Sequence, residues 1–257
     1  MKVTAPGNVD SKILRSAIAG GTAAVTSLVA NNNKKTSSKN LDKDFGIWGR
    51  VSSAEFQASQ NISRANELII GPNNTITIIA GSSGVGKDAL LRKFLEKHPD
   101  YKLSVSHTTR KQRPGEINGK DYYFVNDEDF HFGIENGEFL EWVDFAGNKY
   151  GTKIAVLNQL LKKTNNVILK LDTVGALKVK ELIPQAKLIF IAPPSYEVLE
   201  ERLKGRGTES KKDIRNRLKV AEFEKKNSEK FDHIIINDDL DKAVEDTENI
   251  LCTNKDN

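Results

Sequence analysis

Apolar residues occur in short runs, separated by polar turns, from residue 75 onward. The run Thr75–Ala80 is rich in β-branched side chains and stops at a glycine, which is typical of a buried parallel strand. Similar apolar runs at 167–171, 187–192 and 233–237 predict three more strands. Residues 89–95 show helical spacing directly after a glycine-rich loop. Strand, loop and helix in this order predict an α/β domain.

The order of these elements predicts a parallel sheet flanked by helices over residues 75–257. A small mixed β region is expected as an insert at about 105–155, and a helical lid at about 201–220. Both inserts are expected to close over bound substrates.

Composition supports a packed core and excludes several classes. The 257 residues are 38% hydrophobic and 29% charged, with a mean hydropathy of −0.48, which excludes collagen-like and polytopic membrane proteins. Cys252 is the single cysteine, so neither an internal disulfide nor a cysteine metal cage can form. A reducing compartment is therefore expected.

Residues 1–74 are predicted to be a largely flexible extension, because Asn31–Asn40 is polar and dense apolar periodicity is lacking. Within it, Ile13–Ala30 is apolar but diluted by glycine, serine and threonine. One amphipathic helix is the favoured interpretation, and a membrane span or an organelle transit peptide are the alternatives. The extension holds nine basic and five acidic residues, which leaves thirty of each in the body. A neutral body argues against a broad nucleic-acid-binding face.

The loop after the first strand has the spacing G-x-x-x-x-G-K of a phosphate-binding loop. Its glycines let backbone N–H groups surround an anion, and the following helix adds a favourable dipole. The predicted ATP-binding residues of the loop are Gly81, Ser82, Ser83, Gly84, Val85, Gly86, Lys87 and Asp88. Lys87 is expected to reach the β- and γ-phosphates.

Asp88 stands where this motif has the Ser or Thr that holds Mg²⁺ through its hydroxyl. A carboxylate can ligate Mg²⁺ directly or through water, but it also adds negative charge beside the phosphates. The alternative is that Asp88 only caps the helix that begins there.

Arg110 and Arg113 lie three residues apart, before the turn at Pro114-Gly115. Two arginines in this arrangement can hold a phosphate through paired charge-assisted hydrogen bonds. Solvated loop arginines would have the same spacing, so this pattern alone leaves both interpretations open.

The stretch Ser104–Val125 resembles the nucleoside-monophosphate site of guanylate kinases, whose motif is S-x-S-x-T-T-R-x-x-R-P-G-E-x-x-G-x-D-Y-x-F. The resemblance covers about residues 75–251 and none of the extension. It continues through Glu138–Trp142, Gly147–Thr152, Ala192–Ser195, Arg202–Glu209 and Phe231–Asp238.

The resemblance implies a role for each matching position. The GMP phosphate cage would consist of Arg110, Arg113, Tyr122 and Tyr150, and Ser106 and Glu141 would recognise the guanine edge. Gly151, Thr152 and Asp172 would complete the GMP site. Arg206 and Arg217 would be phosphate-binding arginines of the lid. Asn237 would lie near the adenine of ATP, although an asparagine that ends a strand is equally often a turn former.

Asp172 follows an apolar strand, as do carboxylates near the metal and the γ-phosphate in P-loop proteins. It is therefore a second candidate Mg²⁺ ligand, acting through water. Lys170 departs from the family, whose members have an acid there that helps to recognise guanine. Lys170 and Asp172 are expected on one face of the strand. Lys170 would pair with Glu141 or Asp172, turn out of the site, or mark a protein that no longer phosphorylates GMP.

The resemblance implies that Lys87, Arg110, Arg206 and Arg217 transfer the γ-phosphoryl of ATP to GMP with Mg²⁺, giving ADP and GDP. One alternative is a catalytically weak guanylate-kinase-like interaction module, favoured by Lys170 and Asp88. Another is a P-loop kinase of a different phosphorylated acceptor. A cytoplasmic address is expected, with mitochondrion or plastid if the extension is a transit peptide. The sequence makes no prediction of oligomeric state.

Overall fold

A computed structural model describes residues 67–145, 147–205 and 210–252. These residues form two sheets and the helices around them. The strands are β1 (Thr75–Gly81), β2 (Tyr101–Ser104), β3 (His107–Thr108), β4 (Tyr123–Phe124), β5 (Phe139–Phe145), β6 (Asn148–Lys153), β7 (Asn166–Lys170), β8 (Lys187–Ala192) and β9 (His233–Ile236). The α-helices are α1 (Lys87–Lys97), α2 (Asp127–Glu135), α3 (Ile154–Leu161), α4 (Thr173–Leu182), α5 (Tyr196–Gly205), α6 (Lys211–Asn227) and α7 (Leu240–Cys252).

The main sheet is parallel and has the order β2-β7-β1-β8-β9. Its strands are buried on both faces, since Ile78 contributes to one apolar cluster and the adjacent Ile79 to the other. This double coverage explains the continuous apolar runs in the sequence. The predicted parallel sheet flanked by helices is confirmed.

A second sheet, of order β4-β3-β6-β5, forms the mixed insert that the sequence predicts. β3 pairs parallel to β4 and antiparallel to β6, and β5 pairs antiparallel to β6. The register of β5 shifts between Phe139 and Glu141, so this strand contains an irregularity of the β-bulge type. Such an irregularity changes the direction in which a side chain points.

The predicted helical lid corresponds to α5 and α6, separated by residues 206–209, which lie outside the described residues. α6 begins with a capping box, in which the side chains of Ser210 and Asp213 each bond the other residue's backbone N–H. Its inner face is apolar and includes Ile214 and Ala221, which pack with Leu199 and Leu203 of α5. The two lid helices therefore share a small core of their own.

The residues just before β1 contact the body of the domain. Leu68 and Ile70 pack against one of the apolar clusters of the main sheet. The Asn158 side chain accepts from the Ile69 N–H at 2.9 Å and donates to the Glu67 carbonyl at 2.9 Å. The segment Ile13–Ala30, with its predicted helix, span or transit peptide, lies outside the described residues. None of the helices in the described part is long and apolar enough to cross a bilayer.

The end of β1 approaches β8 so closely that it requires glycine. Gly81 has φ 140°, and a Cβ added there would lie 2.2 Å from the Ile191 carbonyl oxygen. Neither backbone can move without disturbing the pairing of β1 with β8. The close contact fixes the point from which the phosphate-binding loop departs.

We expect Gly81→Ala to lower the free energy of unfolding by about 3 kcal/mol or more, because the new methyl group would overlap backbone. Gly137→Ala is the matched control, since Gly137 has φ 68° and no atom within 4 Å of an added Cβ. The free energy of unfolding of the control should fall by about 1 kcal/mol, because alanine is unfavourable in the left-handed backbone conformation. Urea unfolding measures both. Equal losses would mean that β8 does not constrain Gly81.

Candidate active site

The loop after β1 has the backbone that a phosphate-binding loop requires. Gly84 and Gly86 have φ values of 93° and 98°, which side chains other than glycine rarely adopt. The Lys87 ammonium donates to the carbonyls of Gly81 and, at 3.1 Å, Ser82. The lysine side chain therefore folds back along the loop. This arrangement agrees with the predicted loop over Gly81–Lys87.

Asp88 does not cap α1, because the N-cap position belongs to Gly86. The alternative in which Asp88 only caps this helix is therefore wrong. Asp88 lies in the first turn, where a carboxylate interacts favourably with the helix dipole.

Asn237, at the end of β9, supports the loop from behind. Its buried side chain donates to the Val85 carbonyl at 2.8 Å, and its carbonyl accepts from Arg202 of α5 at 2.9 Å. A Cβ at Gly86 would lie 2.4 Å from the Asn237 amide nitrogen, so this contact also requires glycine. Asn237 therefore stabilises the loop, and its contact with adenine stays a prediction.

Arg217 connects α6 to the loop, and its predicted role in binding phosphate stays a prediction. From α6 it donates a hydrogen bond to the Ser83 hydroxyl, and its guanidinium lies 5.8 Å from the centre of the Phe145 ring. Ser83 belongs to the loop and Phe145 to the mixed insert, so Arg217 joins three parts of the molecule. Arg206, the other predicted lid arginine, lies outside the described residues.

Three of the four residues predicted for the phosphate cage, one arginine and two tyrosines, lie close together in the insert. The Arg110 guanidinium lies 5.4 Å from the Tyr122 ring centre, and the rings of Tyr122 and Tyr150 are 6.0 Å apart. Burial, followed by the nearby Tyr122, raises the pKa of Tyr150, so its phenol remains a hydrogen-bond donor at neutral pH. Arg113, the fourth residue predicted for the cage, is exposed.

Glu116 was not among the predicted site residues, yet it orients Arg110. Its carboxylate accepts from Arg110 Nη2 at 2.6 Å and from the Arg113 N–H at 2.7 Å. Burial opposes the ionised form of Glu116, but its bond with Arg110 prevails and lowers the pKa of Glu116. The signal in the sequence was an acid at the end of the Pro114-Gly115 turn, three residues after Arg113.

Glu141 is a buried carboxyl that lies beside a second acid. It accepts from the Thr152 hydroxyl at 2.8 Å, and burial, reinforced by the charge of Asp172, raises its pKa to about 7. A Cβ on Gly175 would lie 3.1 Å from Glu141 Oε2 and 3.3 Å from Asp172 Oδ2, so both acids border this glycine. A carboxylate in such a place gains most by accepting hydrogen bonds from a ligand.

Three further residues predicted for the GMP site lie on or directly beside this sheet. Gly151 pairs with His107 of β3 and Trp142 of β5, and Thr152 is buried against Glu141. Ser106 is buried immediately before β3, and its carbonyl accepts from the Tyr123 N–H at 2.9 Å. The insert therefore holds these three residues on or beside neighbouring strands.

Asp172 is the N-cap of α4 and not part of β7, which ends at Lys170. Its side chain accepts from the N–H groups of Val174 at 2.8 Å and Gly175 at 3.0 Å. Burial nevertheless raises the pKa of Asp172. Lys170 pairs with Asp88, at 2.7 Å. The predicted pairing of Lys170 with Glu141 or Asp172 is therefore wrong, because the strand alternation on which it rested ends before Asp172.

The two predicted Mg²⁺ ligands do not fit a metal site built by the protein. Asp88 holds the Lys170 ammonium, and one oxygen of Asp172 caps a helix. Across the described ranges, no group of three or more His, Cys, Asp and Glu side chains could hold a metal ion. The part of the chain that the structure describes therefore offers a poor set of oxygen donors to a bare cation.

Glu224 is a second functional candidate that the sequence reasoning missed. It is buried on α6, and it accepts from the Thr173 hydroxyl at 3.1 Å. Burial raises the pKa of Glu224, while the charge of Lys87 and a bond from Ser82 oppose that shift. The sequence does carry a signal for this residue. Ala221 and Glu224 follow Ile214 by seven and ten residues, and this helical spacing places the acid on the apolar face of α6.

Comparison with known proteins identifies the family. A family model described as guanylate kinase matches residues 73–254. The chain belongs to the guanylate kinase family. A guanylate kinase from Prochlorococcus marinus is 42% identical over 176 residues, which cover 68% of this chain and 95% of that protein. A guanylate kinase from Thermosynechococcus vestitus is 47% identical over 169 residues, which cover 66% of this chain and 88% of that protein.

Solved structures support the same assignment. The chain resembles the crystal structure of guanylate kinase from Anaplasma phagocytophilum with a TM-score of 0.57 and 34% identity. That match covers 69% of this chain and 84% of the other. The predicted guanylate kinase resemblance and the P-loop fold are thus confirmed.

We expect Glu141→Gln to raise the free energy of unfolding at pH 8 by about 1–3 kcal/mol. The folded-state pKa of Glu141 is raised to about 7 from an ordinary 4.5, so its stabilising contribution is complete below 4.5 and lost as pH rises through 7. The gain of the variant should therefore disappear towards pH 4. Urea unfolding from pH 4 to pH 8 measures it.

Glu135→Gln is the control, since Glu135 is exposed on α2. It should change stability by less than about 0.5 kcal/mol at any pH in this range. A Glu141 variant with the same flat profile would contradict a buried, raised-pKa carboxyl.

Proposed function

We propose that the chain is an active guanylate kinase, which transfers the γ-phosphoryl of ATP to GMP and releases ADP and GDP. The observation that carries the proposal is the contact of Arg217 with both Ser83 of the loop and Phe145 of the insert. It supports a donor site and an acceptor site that face each other beneath the lid. Membership of the guanylate kinase family supports the same reaction.

In this proposal the loop binds the triphosphate through its N–H groups, and Lys87 binds the β- and γ-phosphates. Arg110, Tyr122 and Tyr150 bind the GMP phosphate, with Arg113 at the entrance. Arg217, and Arg206 of the lid, stabilise charge on the moving phosphoryl. A phosphate oxygen of GMP is already charged, so the attack needs no general base.

Guanine recognition is assigned to Glu141, with Ser106, Thr152 and Asp172 around it. An ionised Glu141 accepts from the N1–H and the exocyclic amine of guanine, which adenine cannot match. The bond from Thr152 supports this role, because it fixes one carboxylate oxygen and leaves the other for the base. Mg²⁺ enters as its complex with ATP, which is the substrate.

The experiment is a coupled assay of the full chain with ATP, Mg²⁺ and a panel of nucleoside monophosphates. Turnover with GMP, well above that with AMP, CMP or UMP, is expected. Turnover with none of them would favour an interaction module, and a preference for another acceptor would favour a different kinase. The ion pair between Lys170 and Asp88 weakens the case for the module, since each residue compensates the other's charge.

We expect Lys87→Ala and Arg110→Ala to separate chemistry from binding. Lys87→Ala should lower kcat by about 1,000-fold with little change in GMP affinity, because Lys87 acts on the transferring phosphoryl. Arg110→Ala should weaken GMP binding by about 10- to 100-fold, through loss of a charge-assisted contact. Steady-state kinetics and GMP titration calorimetry measure the two effects.

Lys102→Ala is the control for removal of a lysine, since Lys102 is exposed on β2. It should leave kcat and GMP affinity unchanged. Equal losses of both quantities in Lys87→Ala and Arg110→Ala would refute the division of roles.

A further inference from the structure

Lys170 connects the helix after the phosphate-binding loop with the mixed insert. It is the last residue of β7, and its ammonium lies 2.7 Å from Asp88 Oδ1, in the first turn of α1. The same ammonium lies 4.9 Å from the centre of the Tyr122 ring, directly before β4 of the insert. One side chain of the core therefore contacts both α1 and a residue assigned to the GMP phosphate.

The ammonium of Lys170 cannot recognise guanine as an acid at this position would. An ammonium is a donor only, while the N1–H and the exocyclic amine of guanine require acceptors. Its ion-pair partner is Asp88, and Glu141 accepts from Thr152. The contact of Lys170 with Tyr122 instead points to the phosphate end of GMP.

The pair of Lys170 and Asp88 is neutral as a whole, and folding stability does not account for it. The Lys170 side chain is 16% exposed and that of Asp88 is 80% exposed. A pair with one exposed partner contributes little to stability, while burying an ammonium has a cost. Burial opposes the charged form of Lys170, but Tyr122 and Asp88 outweigh burial and raise the pKa of Lys170. The ammonium therefore stays charged at neutral pH, fixed beside the ring.

Tyr122 is held through its ring. Lys170 and Arg110 both lie over this ring, at 4.9 and 5.4 Å from its centre. A cation in this position is attracted by the π electrons, and more strongly where water is excluded. The rings of Phe124 and Tyr150 each lie 6.0 Å from that of Tyr122. Since Arg110 is assigned to the phosphate itself, Lys170 is the cation left to support the ring.

Building on the proposed function, we propose that Lys170 is a positioning residue of the acceptor site: anchored by Asp88, its ammonium holds the Tyr122 ring so that the phenol is presented to the phosphate of GMP. Lys170 itself does not bind the nucleotide. Tyr122 is then ordered relative to α1 before GMP binds, and less of the binding free energy is lost in ordering it.

The test uses a neutral-pair variant, Asp88→Asn with Lys170→Met, which removes both charges and leaves the net charge unchanged. Titration calorimetry of the full chain should show GMP affinity lowered by about 3- to 30-fold, the range of a partly desolvated cation–π contact. Affinity for the β,γ-imido analogue of ATP with Mg²⁺ should stay within about threefold of wild type. In steady-state kinetics, KM for GMP should rise while kcat changes by less than about threefold.

Two further variants test whether Lys170 acts through the ring. Lys170→Arg should keep GMP affinity within about threefold of wild type, because a guanidinium can pair with Asp88 and lie over Tyr122. In a Tyr122→Ala background, the neutral-pair change should cause no further loss of GMP affinity. Lys102→Met, at an exposed position of β2, is the matched control and should behave as wild type.

Urea unfolding separates positioning from a structural role. The neutral-pair variant should be at least as stable as wild type, because an apolar side chain replaces a buried ammonium. A variant that loses stability together with GMP affinity would make Lys170 a structural tether and overturn the proposal.

Unchanged GMP affinity in the neutral-pair variant would also overturn the proposal. So would additive losses with Tyr122→Ala, since Lys170 would then act without the ring. By contrast, a wild-type chain that fails to turn over GMP with ATP and Mg²⁺ would remove the proposed function itself. The two failures are therefore distinguishable.

Discussion

A parallel sheet brings the carboxyl ends of all its strands to one edge, and the candidate site depends on this constraint. β1 ends there in the phosphate-binding loop, and β7 ends there in Lys170, next to Asp172 at the start of α4. Asn237 directly follows β9 at this edge and supports the loop. The mixed insert and the lid contribute the remaining groups, and both are long excursions of the chain from this same edge.

Three buried or partly buried acids lie at this edge, and burial makes their ionised forms unfavourable. Burial raises the pKa values of Glu141, Asp172 and Glu224, and none of the three forms an ion pair within 4.0 Å in the described part of the chain. The domain tolerates them because each has at least one hydrogen-bond donor from a neighbouring hydroxyl or backbone N–H. Groups arranged in this way favour ligand binding over stability of the empty protein.

Much of the fold could be predicted from the sequence because its signals are local. The β-branched runs gave the strands of the main sheet, and the spacing of Gly81, Gly86 and Lys87 gave the loop. The site contacts that the sequence did not predict either join residues far apart in the chain or depend on an irregular strand. Asp88 and Lys170 are 82 residues apart, and the shifted register before Glu141 has no mark in the pattern of polar positions. Roles taken from the family resemblance carried no information about these contacts.

The ion pair of Asp88 and Lys170 joins two residues that are encoded far apart in the gene. A lineage that acquired either residue first would have passed through an intermediate with an uncompensated charge beside bound nucleotide. Exchange of segments with a relative that has a hydroxyl and an acid at these positions would recreate such an intermediate whenever the crossover fell between them. We therefore expect the two residues to be inherited as a unit, and chimaeric enzymes of this family should keep both from one parent.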